Sequence, residues 1–184
     1  IASGWVDGLI ASSVESLEVG GLPAVTAIAR AGEWNFRIAV VQLDQDFYRL
    51  MFAVRSLNED ALLVGERVWV VADGMGGHAG GDVASRTALT MIATMCPGWT
   101  GAGDISSSLA YVSDWIHDMS RGSELSGMGC TIAGVCRTAD ELIVFNVGDS
   151  RIYHMGSRLN LVSEDHVING HVLTQCVGGT NEMD

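Results

Sequence analysis

Apolar positions along the chain change their spacing twice. Phe36 to Leu43 and Phe47 to Val54 read as strands, with Asp44-Gln45-Asp46 as the turn between them. Val68-Trp69-Val70-Val71-Ala72 is a short, continuously apolar run, the mark of a buried strand, and it opens into a glycine-rich loop from Gly74 to Gly81. From Asp82 the spacing becomes helical. Ala84, Ala88, Met91, Ile92 and Met95 share a face, and Pro97-Gly98 ends the helix. A second helix is predicted after Asp104, with Ile105, Leu109, Val112, Ile116 and Met119 as its core stripe and Gly122 closing it. From Gly129 the spacing falls to two. Cys130 to Cys136, Glu141 to Val147, Arg151 to Met155 and Arg158 to Val162 are predicted strands of an antiparallel meander, the last two joined by a two-residue turn at Gly156-Ser157. Near the start, Gly20-Gly21-Leu22-Pro23 is a breaker, and Ala24 to Ala31 is predicted to be a short helix. Strands, then two helices, then strands again point to an α+β layered fold rather than a doubly wound parallel sheet.

Composition narrows the function. Ten basic against 22 acidic residues leave a formal charge of -12, which argues against a nucleic-acid surface. The acidic excess serves solubility, or gathers carboxylates around cations. The four cysteines, Cys96, Cys130, Cys136 and Cys176, form no C-x-x-C pair and read as reduced, mostly buried thiols of a cytoplasmic protein. No apolar run approaches the roughly 20 residues of a membrane span. The chain begins at Ile1 rather than Met, so its start is expected to be cut or processed.

The candidate chemistry lies at strand ends. Glu59, Asp60, Asp73 and Asp149 sit at strand termini or in adjoining turns, where a sheet can aim carboxylates at one point, and hard divalent cations want such oxygen ligands. Gly74 leaves the backbone beside Asp73 bare, so a carbonyl can join the ligands, and Gly76 and Gly77 let the chain turn away. A plain glycine turn between strand and helix is the alternative. The loop lacks G-x-G-x-x-G, G-x-x-x-x-G-K-[ST] and any lysine, so metal binding explains it better than direct cradling of phosphate. Arg55 offers a bidentate clamp for a phosphoryl group; a surface ion pair is its alternative.

Taken together, these segments resemble the metal-dependent serine/threonine protein phosphatase family (type 2C-like), bacterial type. They are Arg55-Ser56-Leu57-Asn58-Glu59-Asp60-Ala61, Val71-Ala72-Asp73-Gly74-Met75-Gly76-Gly77-His78, Ser126-Gly127-Met128-Gly129-Cys130-Thr131, Asn146-Val147-Gly148-Asp149-Ser150-Arg151 and Ser163-Glu164-Asp165-His166. The resemblance runs from about Phe47 to Gly179. It implies a four-layer α/β sandwich, two antiparallel sheets face to face with helices outside. It implies two Mn2+ or Mg2+ ions bridged by Asp73, one of them also bound by the Gly74 carbonyl, with Glu59 and Asp60 holding or backing metal-bound waters. Asp149 matches a position that takes a third ion in bacterial members. Arg55 would bind the substrate phosphate. His78 is a candidate proton donor, though eukaryotic members place that histidine where this chain has Met75; a plain loop histidine is the alternative. The other histidines, His117, His154, His166 and His171, read as structural or surface groups. The implied reaction is hydrolysis of protein phosphoserine and phosphothreonine by a water activated between two ions, opposing a bacterial Ser/Thr kinase.

The family carries two further ligand aspartates, in S-D-G and D-N contexts, and neither occurs before Asp184; its flap is also longer than the step here from Val167 to Val172. Residues 35–184 are therefore expected to form a phosphatase domain lacking its C-terminal part. Residues 1–34 are expected to be an extension or the tail of a preceding domain. Within them Trp5, Gly21-Leu22-Pro23 and Trp34 resemble the tail of an accessory protein of type VI secretion. The competing function is a catalytically impaired regulatory or binding module on the same fold.

Overall fold

In this computed structural model, the residues described are 10–19, 22–31, 34–43, 46–54, 59–76, 80–169 and 172–179. They fall into two units, residues 1–58 with 151–162, and residues 59–150 with 163–184. The first unit is one antiparallel sheet. Its strands are β1 (Ile10–Val19), β2 (Leu22–Ala31), β3 (Trp34–Leu43), β4 (Asp46–Val54), β11 (Arg151–Met155) and β12 (Leu159–Leu161), in that spatial order. Residues 24–31, expected to be helical, are a strand paired along its whole length with β3, from Ala24↔Val41 to Ala31↔Trp34. The alanines that suggested a helix alternate with Val25, Thr26 and Ile28, and neighbours on both sides override a weak local preference. The turn expected at Gly156-Ser157 is one residue longer, because Met155 pairs with Leu159 and leaves residues 156–158 as the loop.

The second unit carries the helices. Its main sheet runs β10 (Leu142–Val147), β9 (Ile132–Arg137), β6 (Val68–Ala72), β5 (Ala61–Val64), all antiparallel. Two short pairs accompany it, β7 (Gly74–Met75) with β8 (Gly129–Cys130) and β13 (Val167–Ile168) with β14 (Val172–Leu173). The expected meander is therefore divided: β9 and β10 belong to this sheet, β11 and β12 to the other. The run from Cys130 to Cys136 breaks at Thr131, which turns its hydrogen bonds toward Asp73.

Helix α1 (Gly80–Met95) ends in a 3-10 turn over Cys96–Gly98, where Pro97 fits the first turn and cannot continue the α ladder. Helix α2 (Ala102–Ser120) follows. Ala84, Ala88 and Ile92 of α1, with Ile105, Leu109, Val112 and Ile116 of α2, are buried against Val68, Val70, Ala72, Ile132 and Cys136 of the sheet. Each large aliphatic so buried contributes about 1.5–3 kcal/mol. Met119, expected in this stripe, is instead 40% exposed; its place inside is taken by Ser113 and Ser120, both buried. All four cysteines are free, three buried and Cys176 partly so.

Candidate active site

Strand register brings the acids together. Ala61 pairs with Ala72 at the end of β5 and β6, so Asp60 and Asp73 stand opposite each other one step beyond. The Gly74 N–H donates to the Glu59 carbonyl at 3.2 Å and carries the ladder one step further. On the other flank Val71 pairs with Ala133 and Gly74 with Cys130, which sets Asp73 opposite Thr131. Val147 pairs with Ile132, which sets Gly148 opposite Thr131 and projects Asp149 from the same end of the sheet. One row across the sheet is thus Asp60, Asp73, Thr131, Gly148, with Glu59 and Asp149 beside it.

Backbone bonds fix this row. The Thr131 N–H donates to the Asp73 carbonyl at 2.8 Å, and the Asp73 N–H donates to the Thr131 hydroxyl at 3.2 Å. That hydroxyl also bonds the Ser150 hydroxyl at 2.6 Å, in a buried pair. The Gly148 N–H donates to His166 Nδ1 at 3.1 Å, and the His166 N–H returns to the Gly148 carbonyl at 2.9 Å, so His166 is structural, as expected. The Ser85 hydroxyl in α1 donates to the Glu59 carbonyl at 2.6 Å. The first turn of α1 presses against this segment so closely that a Cβ on Gly81 would lie 2.2 Å from Glu59 Oε2. The Glu59 carboxylate thus lies against the first turn of α1.

Asp73 bears the cost of the arrangement. Burial pushes its carboxyl up from 3.8 to about 6; a side-chain hydrogen bond with Asp60 pulls down, and the charges of Asp149 and Glu59 push up further. Like charges opposed across a sheet repel, and a cation among them would relieve that repulsion. The donors are hard carboxylate oxygens, suited to Mg2+ or Mn2+. Among the described residues, no three His, Cys, Asp or Glu side chains converge tightly enough to hold an ion by themselves. Arg55 and His78 lie outside the described residues.

Thr131, Ser150, Ser85 and Gly81 complete the site, and sequence reasoning assigned them no role. Thr131 and Ser150 stood inside motifs already noted, but their function depends on register. Replacing Thr131 with Val keeps its shape and strands the Asp73 N–H and the Ser150 hydroxyl. Urea unfolding of Thr131→Val is expected to show a loss of about 2–3 kcal/mol, since each stranded buried group costs about 1–3 kcal/mol; an unchanged midpoint would remove Thr131 from the site.

The profile of the Protein phosphatase 2C family matches residues 52–174, and the chain belongs to that family. The serine/threonine protein phosphatase PstP of Mycobacterium tuberculosis is 35% identical over 105 residues, 54% of this chain and 20% of that protein. The serine/threonine phosphatase Stp of Listeria monocytogenes serotype 4b is 30% identical over 127 residues, 61% of this chain and 50% of that protein. The chain thus spans a fifth to a half of the length of these relatives. Among solved structures, PppA, a key regulatory component of T6SS in Pseudomonas aeruginosa, superposes with a TM-score of 0.62 at 30% identity, covering 71% of this chain and 63% of that one. The catalytic domain of PstP in complex with two manganese ions gives 0.56 at 24% identity, covering 78% and 69%. The fold is the α+β fold of these phosphatases. No helix among the described residues is long and apolar enough to cross a membrane.

Proposed function

We propose that the protein hydrolyses phosphoserine and phosphothreonine in proteins, using the acids gathered around Asp73 to hold Mn2+ or Mg2+. The observation that carries this reading is the row setting Asp60 and Asp73 side by side within reach of Glu59 and Asp149. Asp73, the Gly74 carbonyl, Glu59, Asp60 and Asp149 would hold the ions. When bound, the ions supply Lewis-acid charge that activates water and offsets charge on the phosphoryl group. Asp73 is held at its backbone by Thr131, so its carboxylate is preorganised. Arg55 clamps two phosphoryl oxygens with its planar guanidinium. His78 donates a proton to the departing serine or threonine oxygen.

Phosphoprotein substrates, an opposing bacterial Ser/Thr kinase and a cytoplasmic setting follow from this reading. The likeness to PppA supports a place in type VI secretion control. On this reading residues 35–184 are part of a phosphatase domain, and residues 1–34 are an extension or the tail of a preceding domain. A second reading is a catalytically impaired regulatory or binding module on the same fold.

The experiment is phosphate release from a phosphothreonine peptide and an aryl phosphate, with Mn2+ and with EDTA. Metal-dependent turnover supports the enzyme; Mn2+ binding without turnover supports the module. With turnover in hand, Arg55→Ala is expected to raise KM about tenfold or more for both substrates while leaving metal affinity unchanged, with Arg55→Lys rescuing poorly. Unaltered kinetics would make Arg55 a surface residue.

A further inference from the structure

Helix α2 carries an apolar row that its own core does not use. Tyr111, Trp115 and Met119 recur every four residues on one line of the helix, and they are 54%, 49% and 40% exposed. The Tyr111 and Trp115 rings lie against each other, centroids 6.4 Å apart. Single exposed apolar residues are ordinary; three in register, two of them large aromatics, make a contiguous patch of the kind that marks an interaction surface. The inner face of α2 is already filled by Ile105, Leu109, Val112 and Ile116, so the row is surplus to folding.

The charge beside the row is of one sign. Asp114 follows Tyr111 by three positions and Asp118 follows Trp115 by three, so each aromatic has an exposed carboxylate as its helical neighbour. Asp118 has Arg121 3.7 Å away; both side chains are more than 70% exposed, so that pair is weak. The chain contains no lysine and carries a net charge of -12, so an acidic partner would be repelled.

We propose that this face of α2 is a docking surface for a cationic amphipathic segment of another protein. Its apolar residues would cover Tyr111, Trp115 and Met119. Its Arg or Lys side chains would meet Asp114 and Asp118 and lie over the Trp115 ring. The surface is built wholly from one helix of the second unit and is independent of the phosphatase reading.

The test uses a fluorescein-labelled 16-residue helical peptide of Leu and Arg, titrated with the whole chain and followed by anisotropy. A Leu and Glu peptide of the same pattern serves as the opposite. The Arg peptide is expected to bind and the Glu peptide not. Trp115→Ala should weaken binding at least tenfold and Trp115→Phe much less. Asp114→Asn with Asp118→Asn should weaken it at least fivefold. Asp140→Asn with Glu141→Gln removes the same charge from an exposed turn between β9 and β10 and should change nothing. Equal weakening by that control pair would mean diffuse charge attraction and overturn the proposal. So would unchanged binding by Trp115→Ala. A dimer in sedimentation that Trp115→Ala dissolves would make a second copy of this chain the occupant and would equally overturn it.

Discussion

Asparagine at position 73 is expected to stabilise the metal-free chain and to abolish its response to Mn2+. The folded carboxyl titrates at about 6 against an ordinary value of 3.8. Between those values the folded state holds more protons than the unfolded one, so stability falls as pH rises from about 4 through 6. Above that range the deficit stays constant, on the order of 3 kcal/mol for a shift of this size. Asparagine removes the charge and keeps the shape. In EDTA at pH 7.5 the variant should therefore melt above the wild type, and below pH 4 the difference should vanish. Mn2+ at a hundredfold excess over its dissociation constant should stabilise the wild type by about 2.7 kcal/mol through mass action and leave Asp73→Asn unmoved. Turnover, where the wild type shows it, should fall by two orders of magnitude or more. A variant that melts lower than the wild type in EDTA at pH 7.5, or that keeps its Mn2+ shift, would detach Asp73 from the site.

The parts of this site legible in the sequence are those written in one segment. Val68 to Ala72 matches β6 residue for residue, because a continuous apolar run between glycines has few other homes. The acids at strand ends also stand where expected, since a strand boundary is a local signal. Pairing is not local. Nothing in the sequence sets Asp60 opposite Asp73 or Thr131 between Asp73 and Gly148; those follow from register, which longer-range contacts decide. Residues 24–31 show the same limit from the other side. Their alanines favour a helix in isolation, and sheet neighbours on both flanks make them β2. Periodicity alone places Met119 inside, yet the buried arc of α2 takes in the small side chains of Ser113 and Ser120 instead. Ser108, also buried, accepts the Trp99 indole hydrogen bond at 2.8 Å.

Gly81 gives the sharpest conflict between local preference and packing. It stands in the second position of α1, where helix propensity alone would have alanine stabilise by up to about 1 kcal/mol. A Cβ at Gly81 would lie 2.2 Å from Glu59 Oε2, 2.7 Å from the Gly74 carbonyl carbon and 2.9 Å from the Met75 nitrogen. The carboxylate could swing aside, but the backbone of residues 74 and 75 is held by pairing with Gly129 and Cys130. The start of α1 or the Asp73 loop must therefore move, and overpacking of this kind costs about 1–3 kcal/mol. Gly103 is the control. It occupies the same position in α2, and a Cβ there meets nothing within 4 Å. In urea melts Gly103→Ala is expected to gain a few tenths to about 1 kcal/mol, while Gly81→Ala loses about 2 kcal/mol and its Mn2+ response shrinks with the displaced Glu59 and Gly74. Gains of the same size at both positions would mean that α1 does not press on the acidic row, and the close approach of Gly74, Gly81 and Glu59 would lose its role in shaping the site.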